Sequence, residues 1–399
     1  MATLHPFKAL RPNPDHVRDV ACVPYDVINS DEARQLAEGN PHSFLHVIRP
    51  EIDLPVGTSE YDDRVYEIGA ANLKALADSS YYVTERAPGL YVYRLVMDGR
   101  SQTGIFGCVS VADYDNDVIL KHEKTRPSKE DDRTKHIVTQ RAHAEPVMLT
   151  FRDADDVAAI VQRASDGEPL YDFEAPDSVR HTIWKVDETS ELVDAFASVE
   201  RLYVADGHHR CKAASRAAHE LGGRPSDEVS FFPAVLFPMS EVAILPYNRI
   251  IYALPGSTDS FKQELTKRFG VVAGPATPDQ PGRVSVYLSG EWLLLDLPES
   301  AMPGEVASLD VARLAEFVLE PMLGIGDPRT DPNIDFVGGI RGTGELERLV
   351  DSGKAALAIS MYPTSVEELV TVSDAGMLMP PKSTWFEPKL RSGMLVHRF

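Results

Sequence analysis

Cysteine is scarce in this 399-residue chain, which carries three, Cys22, Cys108 and Cys211. They are far apart and show no CxxC spacing, which argues against a disulfide framework or a cysteine-built zinc site, so reduced thiols are expected. Long apolar runs are also missing: none approaches the roughly 18 to 20 residues that a membrane span requires. Positive charge is in deficit. Lys and Arg number 40 against 61 Asp and Glu, a formal net charge of -21, which repels nucleic acid and anionic lipid unless cations are locally concentrated. The N-terminal MATLHPFKALRPNPDHVRDV has prolines and charges where a secretory signal would be continuously apolar, so a cytoplasmic location is expected.

What is there reads as a globular chain, with 43% hydrophobic and 25% charged residues, close to the average for soluble domains. Residues 43–48 and 89–97 are rich in apolar, β-branched and aromatic residues and predict strands, and Tyr61 to Ser79 has the spacing of an amphipathic helix. Strands follow at 105–114, 146–151 and 201–205, with a helix over about 129–143. Two helices flanking a strand are expected within 153–200, and a helix over 208–221 stops at Gly222-Gly223. Beyond Pro255 a helix at 258–269 precedes a hairpin turning at Ser289-Gly290. Asp310 to Leu323 is expected to be helical, and a last strand, Ala356 to Met361, leads into a loop. The fold class is α/β with mixed α+β sheets. Four regions are expected: 1–100, N-terminal α+β; 101–255, the core; 256–330, a small subdomain with the hairpin; and 331–399, packing back on the core.

In VADGHHRCKAASRAA, residues 204–218, an apolar strand ends at Asp206, Gly207 permits a sharp turn, and His208-His209-Arg210 opens an alanine-rich helix. Free first-turn amides and the helix dipole favour an anion there, and Arg210 can offer a bidentate fork to phosphate. Cations at a helix N-terminus oppose the dipole, so the local conflict itself points to a bound anion. The competing reading pairs these residues with internal carboxylates. Asp206 could hold Mg²⁺ or take a proton from a hydroxyl, or simply cap the helix.

Two further clusters carry polar chemistry. Lys121 to Arg133 is a dense mixed-charge run, either a solvated face or a substrate loop in which Glu123 is a general base and Lys121 or Arg126 grips phosphate. MPPKSTWFEP, 379–388, sets Lys382, Ser383 and Thr384 behind two prolines. A lysine with two hydroxyls suits phosphate, while the adjacent Trp385-Phe386 also suits docking of the chain end.

VADGHHRCKAA, LKHEKTRPSKEDDR, VPYDVI, LPYNRII and MPPKSTWFEPKLRSG together resemble the bacterial and archaeal family called domain of unknown function 1015, over essentially the whole chain. The order of a glutamate after a strand, a charged helix, a second strand and then Asp-Gly-His-His-Arg also resembles the ParB and sulfiredoxin superfamily, which includes free-serine kinases. That resemblance implies a ParB-like core elaborated with extra N-terminal and C-terminal α+β segments. It makes Glu123 the base, Asp206 a metal or hydroxyl partner, and Gly207, His208, His209 and Arg210 a phosphate cradle. Two departures stand out: about 50 residues between the strand near 150 and the signature have no counterpart in the small kinases, and Cys211 stands where relatives often carry tyrosine. Sulfiredoxin chemistry is not expected either, since its cysteine lies inside the glycine-to-arginine loop whereas Cys211 follows the arginine.

The function implied is phosphoryl transfer from ATP or ADP, with Mg²⁺, to a small hydroxylated metabolite such as free L-serine. A nucleotide-sensing module without catalysis is the non-enzymatic alternative. A metal-dependent phosphohydrolase is the other, although adjacent helical histidines diverge by about 100 degrees and do not readily share one ion. No nucleic-acid or membrane partner is expected, and a homodimer is left open.

Overall fold

The computed structural model describes all residues, Met1–Phe399, and they form two compact units. The first comprises Met1–Val242 with Pro388–Phe399, and the second Ala243–Glu387.

The first unit is built on a nine-stranded mixed sheet. Its strands lie in the order Ile119–Leu120, Leu202–Asp206, Val147–Phe151, Phe231–Pro238, Arg100–Ser110, Tyr91–Met97, Arg180–Lys185 and Tyr171–Glu174, with Leu4–His5 paired beside Arg100–Ser110. Leu202–Asp206 runs parallel to Ile119–Leu120 and antiparallel to Val147–Phe151, and the latter is parallel to Phe231–Pro238. Central strands are apolar on both faces, and Val147–Phe151 is buried at every position. One face packs against the helices Asp155–Ser165, Thr189–Phe196 and His208–Glu220 through Val157, Phe196 and Ala214. On the other, Phe106 meets Phe7, which also touches His397. Val204, Leu149, Phe151, Phe196 and Leu236 share the main core. A four-stranded sheet joins Tyr82–Thr84, Ala9–Pro12, Val396–Arg398 and Ala142–His143, so both ends of the chain are stitched into this unit.

The second unit carries a six-stranded antiparallel sheet, with strands in the order Val272–Ala273, Glu291–Asp296, Arg283–Leu288, Leu357–Met361, Tyr247–Ile251 and Ile334–Gly338. The expected hairpin is present, with Ser289 and Gly290 both at positive φ, 53° and 79°, the conformation that a two-residue primed turn demands.

Several expectations are corrected. Residues 43–48 are not a strand: Leu45–Ile48 is one helical turn, entered through a Ser43 hydroxyl that accepts the Leu45 N–H at 3.3 Å. A buried apolar run of that length has no periodicity to separate the two states. The strand expected over 105–114 starts earlier, at Arg100, and gives way at Ser110, whose side chain caps the helix Val111–Asp115. Between 153 and 200 the single strand is a hairpin, Tyr171–Glu174 with Arg180–Lys185. The final loop contains a helix, Val366–Asp374, opened by a Ser365/Glu368 capping box. The division expected at residue 100 falls inside a tight hairpin: Asp98 and Gly99, at φ 52° and 78°, join two strands paired from Tyr91 to Met97.

Phe196 and Phe151 are both fully buried and meet edge to face, with ring centroids 5.4 Å apart. Phe196→Ala is expected to lower the unfolding free energy of the first unit by about 3–5 kcal/mol, measured by chemical denaturation. A loss below about 1 kcal/mol would mean that the helix Thr189–Phe196 is not part of the core.

Candidate functional site

The site grows out of the end of the strand Leu202–Asp206. Val204 pairs with Leu149 and Asp206 with Met148, so Ala205 is an extra residue, a bulge that re-aims the carboxylate. Gly207 follows at φ 101° as N-cap of the helix His208–Glu220. A Cβ at Gly207 would lie 3.1 Å from Arg210 Nε and 3.2 Å from Val147 Cγ1, so glycine is required both for the backbone and for space. No side chain caps the helix, so the N-cap itself gives its first-turn amides no acceptor.

Arg210 and Asp206 do not play the parts expected of them. Arg210 is buried and donates from Nη2 to Asp206 Oδ2 at 2.7 Å and from Nη1 to the Pro146 carbonyl, with Asp26 Oδ2 3.9 Å away. The fork expected for phosphate is thus largely taken up inside the protein. Only Nε lacks a partner, and Arg210 lines an internal cavity of about 30 Å³, room for a single water molecule. Asp206 Oδ1 accepts from Lys389 Nζ at 3.1 Å. Burial alone would raise its pKa, but Lys389 and Arg210 outweigh burial and hold the carboxyl well below the usual range. A carboxylate so stabilised is a poor proton acceptor, and with a cation on each oxygen it does not fit a Mg²⁺ ligand. Nor is it the cap, since Gly207 takes that position. No group of three His, Cys, Asp or Glu is arranged to hold a metal ion.

The two histidines are neutral hydrogen-bond partners of the loop that carries Glu123. His208 Nε2 accepts the backbone N–H of His122 at 3.5 Å, and its ring lies edge-on to His122 at 4.4 Å. His209 Nε2 accepts the Arg126 N–H at 3.0 Å. Burial, then the neighbouring His122, pushes the His208 pKa well down, and burial with Arg126 lowers that of His209. With Nε2 accepting in both rings, the proton sits on Nδ1, which remains a donor. The expected clash between cations and helix dipole is therefore absent at these two positions.

This pinning places Glu123 beside His208, the first residue of the helix. Its Oε2 lies 3.8 Å from His208 Nδ1, and its side chain is 41% exposed. Arg126, exposed, is N-cap of the helix Pro127–Gln140. Lys121 turns elsewhere, donating to the Tyr114 carbonyl at 2.7 Å and pairing with Asp117. Lys382, Ser383 and Thr384 belong to the second unit. There Lys382 Nζ sits 5.2 Å from the centre of the Tyr247 ring, and the Ser383 hydroxyl donates to the Pro380 carbonyl at 2.6 Å.

Sequence reasoning missed Asp26, Glu145, Arg133 and Lys389. Arg133 pairs with Asp132 at 2.7 Å and Glu145 at 3.5 Å and lies over the Tyr25 ring at 3.9 Å. Asp26 and Lys389 do sit within VPYDVI and MPPKSTWFEPKLRSG, so a motif signal existed, but nothing local told which member of each mattered.

Burial holds several histidines neutral: His122 is pushed down to about 4 and His181 to about 3, with His136, His143 and His208 also well below 6.5. Unfolding returns them to an ordinary value near 6.5, so the unfolded chain binds more protons below that pH. Their stabilisation is complete above about pH 6.5 and is lost as pH falls towards 4. Glu145 and Asp310, raised by burial, and His46, raised by its hydrogen bond to Asp53, oppose this, three groups against five. Denaturant melts from pH 7.5 to 5 are expected to show falling stability, with a shallower fall in His122→Asn; a flat profile would contradict the neutral assignment.

No curated protein matches the chain. Among solved structures, SbnI with C-terminal truncation from Staphylococcus aureus is 14% identical with a TM-score of 0.40, covering 73% of this chain and 87% of that one. A free serine kinase in complex with AMP is 12% identical, TM-score 0.36, with 73% and 91% covered. A conserved hypothetical protein from Pyrococcus furiosus is 11% identical, TM-score 0.36, with 73% and 95% covered. Likeness at this level says nothing of substrate or mechanism. The family model described as protein of unknown function (DUF1015) matches residues 4–312, and the chain belongs to that family.

Proposed function

We propose that the Gly207 turn binds the phosphates of a nucleotide, ATP or ADP, and that the protein transfers a phosphoryl group to a small hydroxylated metabolite, free L-serine being the first acceptor to try. The observation that carries this reading is the uncapped first turn of a 13-residue helix, flanked by two histidines in the Nδ1–H form. Backbone amides and neutral imidazoles donate to phosphate without the repulsion that cations would add to the dipole. The exposed Arg126 is the cation left to meet phosphate oxygens, while Arg210 and Lys389 act indirectly by holding the turn in shape.

Glu123 supplies the base. The acceptor hydroxyl oxygen forms the new P–O bond, the bond from phosphorus to the leaving nucleotide oxygen breaks, and the hydroxyl proton passes to the Glu123 carboxylate. His208, fixed by its contact with the loop backbone, positions that carboxylate. Because Asp206 is a poor fit to Mg²⁺, no step is assigned to a protein-bound metal.

Thermal shifts with ATP, ADP and CTP test binding: a ligand at one hundred times its Kd stabilises by about 2.7 kcal/mol. Gly207→Ala is expected to abolish the shift through strain at φ 101° and contact with Arg210. Phosphoserine formation followed with ATP and ADP should fall by about 10²–10⁴-fold in Glu123→Gln with nucleotide binding retained. Nucleotide binding without phosphorylation of serine or any other hydroxylated metabolite would favour the sensing module, and no nucleotide response at all would remove the proposal.

A further inference from the structure

Arg249, in the strand Tyr247–Ile251 of the second unit, is 2% exposed and is paired with no carboxylate. Its guanidinium donates to two carbonyls, that of Tyr247 and that of Lys382 at 3.1 Å, and lies 5.6 Å from the centre of the Phe336 ring. Burial pushes its pKa down to about 10, so the charge is intact at neutral pH. A guanidinium has five N–H donors and these bonds use two. An isolated buried charge is among the costlier features a fold can carry, and it calls for a compensating anion.

A cavity of about 320 Å³ lies against this arginine, within the range of small-molecule sites. Val311, Leu319, Pro380 and Pro381 give it apolar walls, and the half-exposed Asp327–Arg329 pair, 2.8 Å apart, lines it as well. Two local irregularities shape it. The wall helix contains a π turn, Ala315–Leu319, just before Pro321, which has no N–H to give the Phe317 carbonyl. π turns recur at functional sites. Directly after the wall residues Pro380 and Pro381, Lys382 is held at φ 58°, an uncommon conformation for a residue with a side chain, and its carbonyl meets Arg249. The Thr364 hydroxyl braces the same loop by donating to the Ser383 carbonyl at 2.9 Å. The two prolines of the MPPKST segment are thus wall material for this cavity.

We propose that this cavity binds a small monocarboxylate with an apolar body, its carboxylate paired with Arg249. One buried positive charge is matched by one negative charge, and the planar fork suits the two oxygens of a carboxylate. A phosphate dianion would leave a net negative charge among apolar walls and beside Asp327. The apolar body takes the place of water against the valine, leucine and prolines.

Isothermal titration of the full chain with 3-methylbutanoate and with benzoate tests this, with the matching amides and inorganic phosphate as further arms. Binding of at least one acid is expected, with no heat from the amides or phosphate. Arg249→Met should weaken that binding by about tenfold or more, and Ala315→Phe, which fills the cavity and leaves Arg249 in place, should abolish it. If Arg249→Met does not fold, Ala315→Phe and the amide arm still decide. Absence of binding by either acid, equal binding in the variants, or binding of phosphate alone would overturn the proposal. Neither variant touches the Gly207 turn, so the nucleotide-induced thermal shift is the independent control.

Discussion

The carboxylate of Asp206 is the interaction on which the first unit's functional end depends. It is shared by Arg210, from the first turn of the following helix, and by Lys389, from the segment that returns after the second unit. Arg210 also reaches the Pro146 carbonyl, at the start of the neighbouring strand. One acid therefore ties a strand end, a helix start and the chain's C-terminal stretch together. Removing one member of such a buried set strands the others as uncompensated charges, a loss of about 3–5 kcal/mol in comparable systems. The bulge at Ala205 and the glycine at 207 exist to bring that acid and that helix start to the same place.

Rigid support of this kind changes what the Asp-Gly-His-His-Arg segment means chemically. As a string of residues it offers three cationic or potentially cationic side chains to a ligand. In the fold, the arginine faces inward to acids and a carbonyl, and the histidines accept backbone N–H groups from the loop 122–126. What remains for an anion is backbone dipole and neutral donors. The charge that could act on a ligand is carried by residues outside the segment, above all Arg126 on the neighbouring helix end.

Patterns of short range were legible and contacts of long range were not. The amphipathic spacing of Val65, Ile68, Leu73 and Leu76 locates the helix Asp63–Asp78, and Ser289-Gly290 locates a hairpin, because both signals are complete within a few residues. The helix Val366–Asp374 is equally legible, through the Ser365 and Glu368 capping pair. The site was half visible: the turn at Gly207 and the helix start follow from local sequence. The partners of Asp206 and Arg210 do not, since Asp26 and Lys389 lie about 180 residues away on either side and only folding selects them from 61 acids and 40 bases. Histidine protonation was invisible for the same reason, since it is set by burial and by which nitrogen accepts.

The two units hold contrasting buried arginines, and the contrast bears on what each is for. Arg210 has Asp206 and Asp26 within 4 Å and touches only a water-sized cavity. Its charge is neutralised at folding, and its work is done by fixing the backbone around Gly207. Arg249 is buried as deeply, meets only carbonyls and an aromatic face, and borders a cavity ten times larger. The same residue type under the same desolvation is complete in one unit and incomplete in the other. An ion pair closed within the chain supports structure; a charge held open beside an apolar cavity is the form that recognition of a small anion takes, because the ligand itself supplies the missing half of the pair.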